Sequence, residues 1–142
     1  MRSIRELSVA EASYLAGLVD GEGTITLSRR HARDQRQLVL SISNTEPRIL
    51  NWVRETVGAG KITRKRAVSA AHATGLTFAI CNRQALSLIK HICPFLQSYK
   101  RERALLVLRD YVRLTPRNGK YSIDVAAQRG RFEQELLAIR AR

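Results

Sequence analysis

Residues 14–27 read YLAGLVDGEGTITL, and the division of this stretch decides the fold. It opens as an apolar segment with two small residues, Ala16 and Gly17, where a core helix would carry bulk. It then passes through two carboxylates, Asp20 and Glu22, flanked by Gly21 and Gly23, and enters a β-like alternation. Upstream, Ser8 and Glu11 have the spacing of a capping box, which predicts a helix from residue 8 through Tyr14, Leu15, Leu18 and Val19, ended by Gly21 and Gly23.

Downstream, TITLSRR (24–30) sets Ile25 and Leu27 against Thr24, Thr26, Ser28 and Arg30. After the polar turn HARDQR, QLVLSIS (37–43) alternates again, so the two segments predict a hairpin with one apolar and one polar face. Pro47 suits the first turn of a second helix, about 46–57. A second strand pair follows, GAGKITRKR with LTFAIC, which places Thr63 and Lys65 on one side and Leu76, Phe78 and Ile80 opposite Thr77 and Ala79. A third helix, about 83–92, stops before Pro94. Residues 100–114 form a basic amphipathic helix, 115–130 read as loop, and RFEQELLAIRAR closes as a short helix. The order is an α+β domain, αββαββα with extra C-terminal helices, its core at about 8–113 and an extension at about 114–142.

The 142 residues suffice for one domain, 1–142, with an ordinary core. No apolar run spans a membrane, the first residues lack a signal-peptide block, and Cys81 and Cys93 make neither a disulfide framework nor a zinc set. A reducing, intracellular setting is the expectation: bacterial or archaeal cytoplasm, or an organelle matrix. The formal net charge of +13 points to a polyanionic partner, nucleic acid before membrane. Residues 1–60 carry eight basic and seven acidic side chains against seventeen and five in 61–142. His31, His72 and His91 lack the neighbouring acids or cysteines of a metal site, and Trp52 reads as core.

LAGLVDGEG (15–23) resembles the signature of the LAGLIDADG homing endonucleases, and the element order over about residues 10–113 is similar to theirs. The resemblance implies the αββαββα fold with a saddle-shaped antiparallel sheet facing DNA, and a site-specific double-strand endonuclease for intron homing that leaves 3′ overhangs. Two copies of the motif helix pack together in that family. The single motif here therefore implies a homodimer and a palindromic or pseudo-palindromic site, with Leu15, Ala16, Gly17, Val19, Asp20 and Gly21 at the interface. By the same resemblance Glu22 is the metal-binding acid, with the Gly21 carbonyl as a further ligand. Mg²⁺ is the expected cofactor, Mn²⁺ a substitute, and Ca²⁺ a supporter of binding without cleavage. PFLQSYKRERALLVL (94–108) resembles the region supplying a catalytic lysine in the single-motif branch, with one residue inserted, which gives Lys100 that role. Asn44 is the candidate for orienting water and Arg48 for the same pocket.

The polar strand faces and the turn RRHARDQRQ offer Thr26, Ser28, Arg30, Gln35, Gln37, Ser41, Thr63, Lys65 and Thr77 as DNA contacts. RNA maturases and regulators that no longer cut share this fold, so a nucleic-acid-binding role, RNA included, stays open as the alternative.

Overall fold

The computed structural model describes residues 3–64 and 75–141. Helix α1 (Val9–Glu22) leads into β1 (Gly23–Ser28) and β2 (Gln37–Asn44), then α2 (Pro47–Val57), β3 (Lys61–Arg64) and β4 (Leu76–Cys81). Helix α3 (Asn82–Ile92), a short 3₁₀ turn (Cys93–Phe95), α4 (Lys100–Asp110) and α5 (Ile123–Ala138) complete the described chain. The strands form one antiparallel sheet in the order β1-β2-β4-β3.

Register explains the two faces. Ile25 pairs with Leu40 and Leu40 with Ile80, while Ile42 pairs with Phe78 and Phe78 with Ile62. Since side chains alternate along a strand, these rows lie on one face, and their members in β1, β2 and β4 are buried under the helices. The opposite face carries Thr24, Thr26 and Ser28 from β1, Gln37, Val39, Ser41 and Ser43 from β2, Thr77, Ala79 and Cys81 from β4, and Lys61 and Thr63 from β3.

The capping box forms as expected, Ser8 Oγ accepting the Glu11 N–H at 3.1 Å and Glu11 accepting the Ser8 N–H at 2.9 Å. Helix α1 runs past Gly21 to Glu22, because Gly21 keeps helical geometry and only Gly23 leaves it. A Cβ on Gly23 would stand 2.7 Å from the Val19 Cα and 3.0 Å from the Ser41 carbonyl oxygen. The turn from helix to strand is thus closed on backbone, and only glycine fits it.

The C-terminal segment departs from expectation. Residues expected as loop up to Gly130 instead enter α5 at Ile123, with Ser122 Oγ accepting the Val125 N–H. Gly130 lies within the helix, and Phe132 and Leu136 join the same core as the sheet and α1–α4. Helix α4 ends at Asp110 rather than 114. Two guanidiniums fix α5 in place. Arg129, 1% exposed, donates to the carbonyls of Leu114 (3.1 Å) and Arg36 (2.6 Å) and to the Thr115 hydroxyl. Arg103 bridges the Ile139 carbonyl (2.7 Å) to the Ile25 carbonyl of β1 (2.9 Å). Burial pushes the Arg103 guanidinium below its usual pKa, partly offset by Tyr99.

Candidate active site and nucleic-acid face

Glu22 is the last residue of α1, and its carboxylate is exposed. Asn44, the last residue of β2, donates from Nδ2 to Glu22 Oε2 at 2.5 Å. The Asn44 amide is oriented by a second bond, since its Oδ1 accepts the Glu46 N–H at 2.8 Å. Asn44 is therefore not the cap of α2. Glu46 holds that position, accepting the Arg48 N–H at 3.3 Å. The pairing of Gly23 with Ile42 sets the end of α1 beside the end of β2, so residues 22 apart in sequence meet.

Below this pair, two charged side chains exchange helix ends. Asp20 turns away from Glu22 and accepts the N–H groups of Gln97 (2.8 Å) and Ser98 (3.0 Å) and the Ser98 hydroxyl (2.5 Å), just ahead of α4. Lys100, the first residue of α4, reaches back and donates from Nζ to the carbonyls of Val19 (2.8 Å) and Asp20 (3.0 Å) in the last turn of α1. Each charge sits at the helix terminus whose dipole favours it, and the Val19 carbonyl takes Lys100 in addition to the Gly23 N–H. Burial would raise the Asp20 carboxyl, but the Ser98 hydroxyl, the Gln97 and Ser98 N–H groups and the nearby Lys100 charge together bring it below its usual pKa. Burial lowers the Lys100 ammonium, and Asp20 opposes that shift in part.

Lys100 is thus 8% exposed, with two of its three N–H donors committed to α1. It stands at the base of the site as a residue that holds the helix end. Arg48 lies exposed in the first turn of α2 and makes no hydrogen bond or ion pair with Glu22, Asn44 or Lys100 among the described residues. The Asp20–Ser98 contact escaped sequence reading, and its one signal was the polar pair Gln97-Ser98 directly before a basic helix.

The residues expected at a helix–helix interface divide. Leu15, Ala16 and Val19 belong to the chain's own core at 0–1% exposure and cannot face a partner, which corrects that part of the expectation. Gly17 and Gly21 are exposed, and a Cβ on either would meet nothing within 4 Å. With Ser13 they form an i, i+4 row on the outward side of α1, beside Tyr14, whose ring packs edge-on against Trp52 at 4.9 Å. Trp52 is half-buried at the margin of the core rather than inside it.

Of the expected DNA contacts, Thr26, Ser28, Gln37, Ser41, Thr63 and Thr77 share the outward face of the sheet, and Arg30 and Gln35 are exposed in the β1–β2 turn. Lys65, like His72, lies outside the described residues. Ser43, hydrogen-bonded to Thr77 at 3.0 Å, and Lys61 belong to this face and were not singled out from sequence.

Among the described residues no group of three or more His, Cys, Asp or Glu side chains converges to hold a metal ion. Among the described residues Glu22 is the exposed carboxylate at this end of α1, with Asp20 turned to Ser98. The Glu22 carboxylate is a hard oxygen donor of the kind that Mg²⁺ and Ca²⁺ take, and one carboxylate leaves most of such a shell to other ligands. Also among the described residues, no helix is long and apolar enough to cross a membrane.

No protein-family model matches the chain, and no curated protein matches its sequence. Solved structures do match its shape. The homing endonuclease I-CvuI, in complex with its target in the presence of calcium, is 18% identical with a TM-score of 0.75, over 93% of this chain and 83% of that one. The archaeal intron-encoded homing endonuclease I-Vdi141I, complexed with DNA, is 17% identical with a TM-score of 0.63, over 94% and 86%. The LAGLIDADG homing endonuclease I-LtrWI, bound to target DNA, is 15% identical with a TM-score of 0.65, and 95% of this chain covers 47% of it. A four-stranded antiparallel sheet backed by helices, with LAGLVDGEG closing the first of them at Glu22, is the LAGLIDADG homing endonuclease fold.

Proposed function

We propose that the protein is a homodimeric, divalent-metal-dependent DNA endonuclease of the homing type. The observation that carries this reading is the Glu22–Asn44 pair, an oriented carboxylate at the end of α1 beside a sheet whose outward face is mostly hydroxyl, amide and ammonium, with Val39, Ala79 and Cys81 among them. Such a face suits hydrogen bonding to base edges in a major groove. The shape shared with proteins solved on DNA supports the same substrate.

The dimer follows from α1. Its outward row of Ser13, Gly17 and Gly21 lets a second copy approach closely, and the twofold brings a second Glu22 to the first. That under half of the I-LtrWI chain is matched by this one is in keeping with a fold unit used twice. When bound, the metal neutralises charge on the scissile phosphate and lowers the pKa of attacking water. Glu22 and the Gly21 carbonyl would hold it, with Asn44 fixing the carboxylate and Lys100 fixing the helix end that carries both. Arg48 and the remaining N–H of Lys100 supply positive charge beside the phosphate.

The test uses the protein and its Glu22→Gln variant on a diverse DNA pool, with Mg²⁺ and separately with Ca²⁺, followed by sequencing of new ends. Site-specific breaks with 3′ overhangs, dependent on Mg²⁺ and lost in the variant, are expected. Binding without cutting by both proteins, or a preference for RNA over duplex DNA, would replace the enzyme by a nucleic-acid-binding relative.

A further inference from the structure

At the end of the sheet away from Glu22, a cavity of about 510 Å³ is lined by Gln37, Asn82, Arg83, Tyr111, Thr115, Pro116, Arg117 and Gly119. Ser28 and Gln37 pair here, five residues along β1 from Gly23, or roughly 17 Å at a strand's rise. Two guanidiniums line the cavity and no carboxylate does.

The segment presenting Arg117 is held firmly for a surface turn. The Gly119 N–H donates to the Pro116 carbonyl at 3.2 Å, closing a turn with Arg117 at its tip, and Gly119 takes the left-handed φ of +69°. The residue before that turn is fixed twice, Arg83 donating to the Thr115 carbonyl at 3.1 Å and Arg129 to the Thr115 hydroxyl. Tyr111 donates to Asn82 Oδ1 at 3.2 Å across the cavity wall. A basic turn pinned by two arginines beside the last row of a polar sheet face is built to meet an anion at a set position.

We propose that this cavity is a phosphate subsite, in which Arg117 and Arg83 grip a backbone phosphate of duplex DNA at the outer end of each half-site, next to the base edge that Gln37 reads. The proposal rests on the DNA-binding reading above and adds to it a place and two residues. Phosphate contacts carry no sequence information but set register along the duplex, which is what a residue at the rim of the sheet requires.

The test measures binding of a random-sequence duplex of about 40 base pairs in Ca²⁺ over a range of salt, since such contacts are sequence-independent and each contributes about 0.9 to the log–log salt slope. The proteins are wild type, Arg117→Gln, Arg117→Lys, and Arg54→Gln as a charge control on α2, which packs behind the sheet. For a dimer, Arg117→Gln should flatten the slope by about 1.8 and weaken binding roughly thirtyfold at 0.15 M salt. Arg117→Lys should restore most of the loss, and Arg54→Gln should match wild type. Equal behaviour of Arg117→Gln and Arg54→Gln would overturn the subsite while leaving the endonuclease reading intact. Failure of the wild type to bind any duplex would overturn both.

Discussion

Gly17→Ala separates folding of the protomer from its assembly. Gly17 lies mid-helix and exposed in α1, and an added Cβ meets no atom of its own chain within 4 Å. Alanine therefore brings only its helix propensity, a gain of about 0.8–1.0 kcal/mol over glycine. In a domain of this size that gain raises the midpoint of thermal unfolding by about 3–5 °C. In the proposed dimer the sign reverses between two copies of α1, because the methyl would enter that contact, and overpacking costs roughly 1–3 kcal/mol. The dimer should then dissociate about five- to 150-fold more readily by the same energies. Sedimentation gives the dissociation constant, and melts at low and high protein concentration give the rest. Wild type should melt higher when concentrated, whereas the variant should lose that dependence yet melt higher than wild type when dilute. A lower midpoint for the dilute variant would refute the open space around Gly17. An unchanged dissociation constant would refute α1 as the assembly face.

Gly23→Ala should behave in the opposite way, destabilising the protomer by roughly 1–3 kcal/mol in chemical denaturation, because the new methyl meets backbone at 2.7 and 3.0 Å. Asn44→Ala frees the Glu22 carboxylate and should raise the Mg²⁺ concentration needed for cleavage about ten- to hundredfold, with binding in Ca²⁺ retained. Lys100→Met removes a donor from the Asp20 carbonyl and from the Val19 carbonyl, which keeps the Gly23 N–H, and should cost about 1–3 kcal/mol of stability by urea unfolding. Asp20→Asn reports through pH. The folded-state carboxyl lies below its usual 3.8, so the stability it contributes is complete above that value and is lost as pH falls through the folded value. Unfolding midpoints of wild type and Asp20→Asn should accordingly differ at pH 6 and converge in strong acid.

The fold was legible where one residue type has one local use. Ser8 with Glu11, Pro47, Pro94 and the alternations in β1, β2 and β4 all mark elements whose physics is local. The closing helix was expected from residue 131, but its first half, from Ile123, was hidden because Ser122 has no acid three residues on, and Gly130 imitates a break although its helical geometry strains nothing. The faces of α1 were misassigned for a different reason. The helix is apolar on both sides, so periodicity cannot say which side is core, and Leu15, Ala16 and Val19 went to the wrong one. At the candidate site, Glu22 stood out in the motif as a candidate, but its link to Asn44 needed the strand register, and the burial of Lys100 needed the junction of α1 with α4. Charged residues in KRER look alike on paper, and only tertiary placement makes one solvated and another a clasp.

The bonds from Arg103 to Ile25 and Ile139 have a consequence for solubility. Strand β1 ends the sheet, and the free edge of such a strand is a template on which another extended chain can add. Arg103, with Arg36 at 3.5 Å from the Leu27 carbonyl, occupies acceptors along that edge, while α5 packs against β1. The C-terminal helix is therefore a seal. A chain cut after residue 121 would keep its motif helix, its sheet and Arg103 yet lose the helix packed over the β1 edge, and it should aggregate more readily than the intact chain.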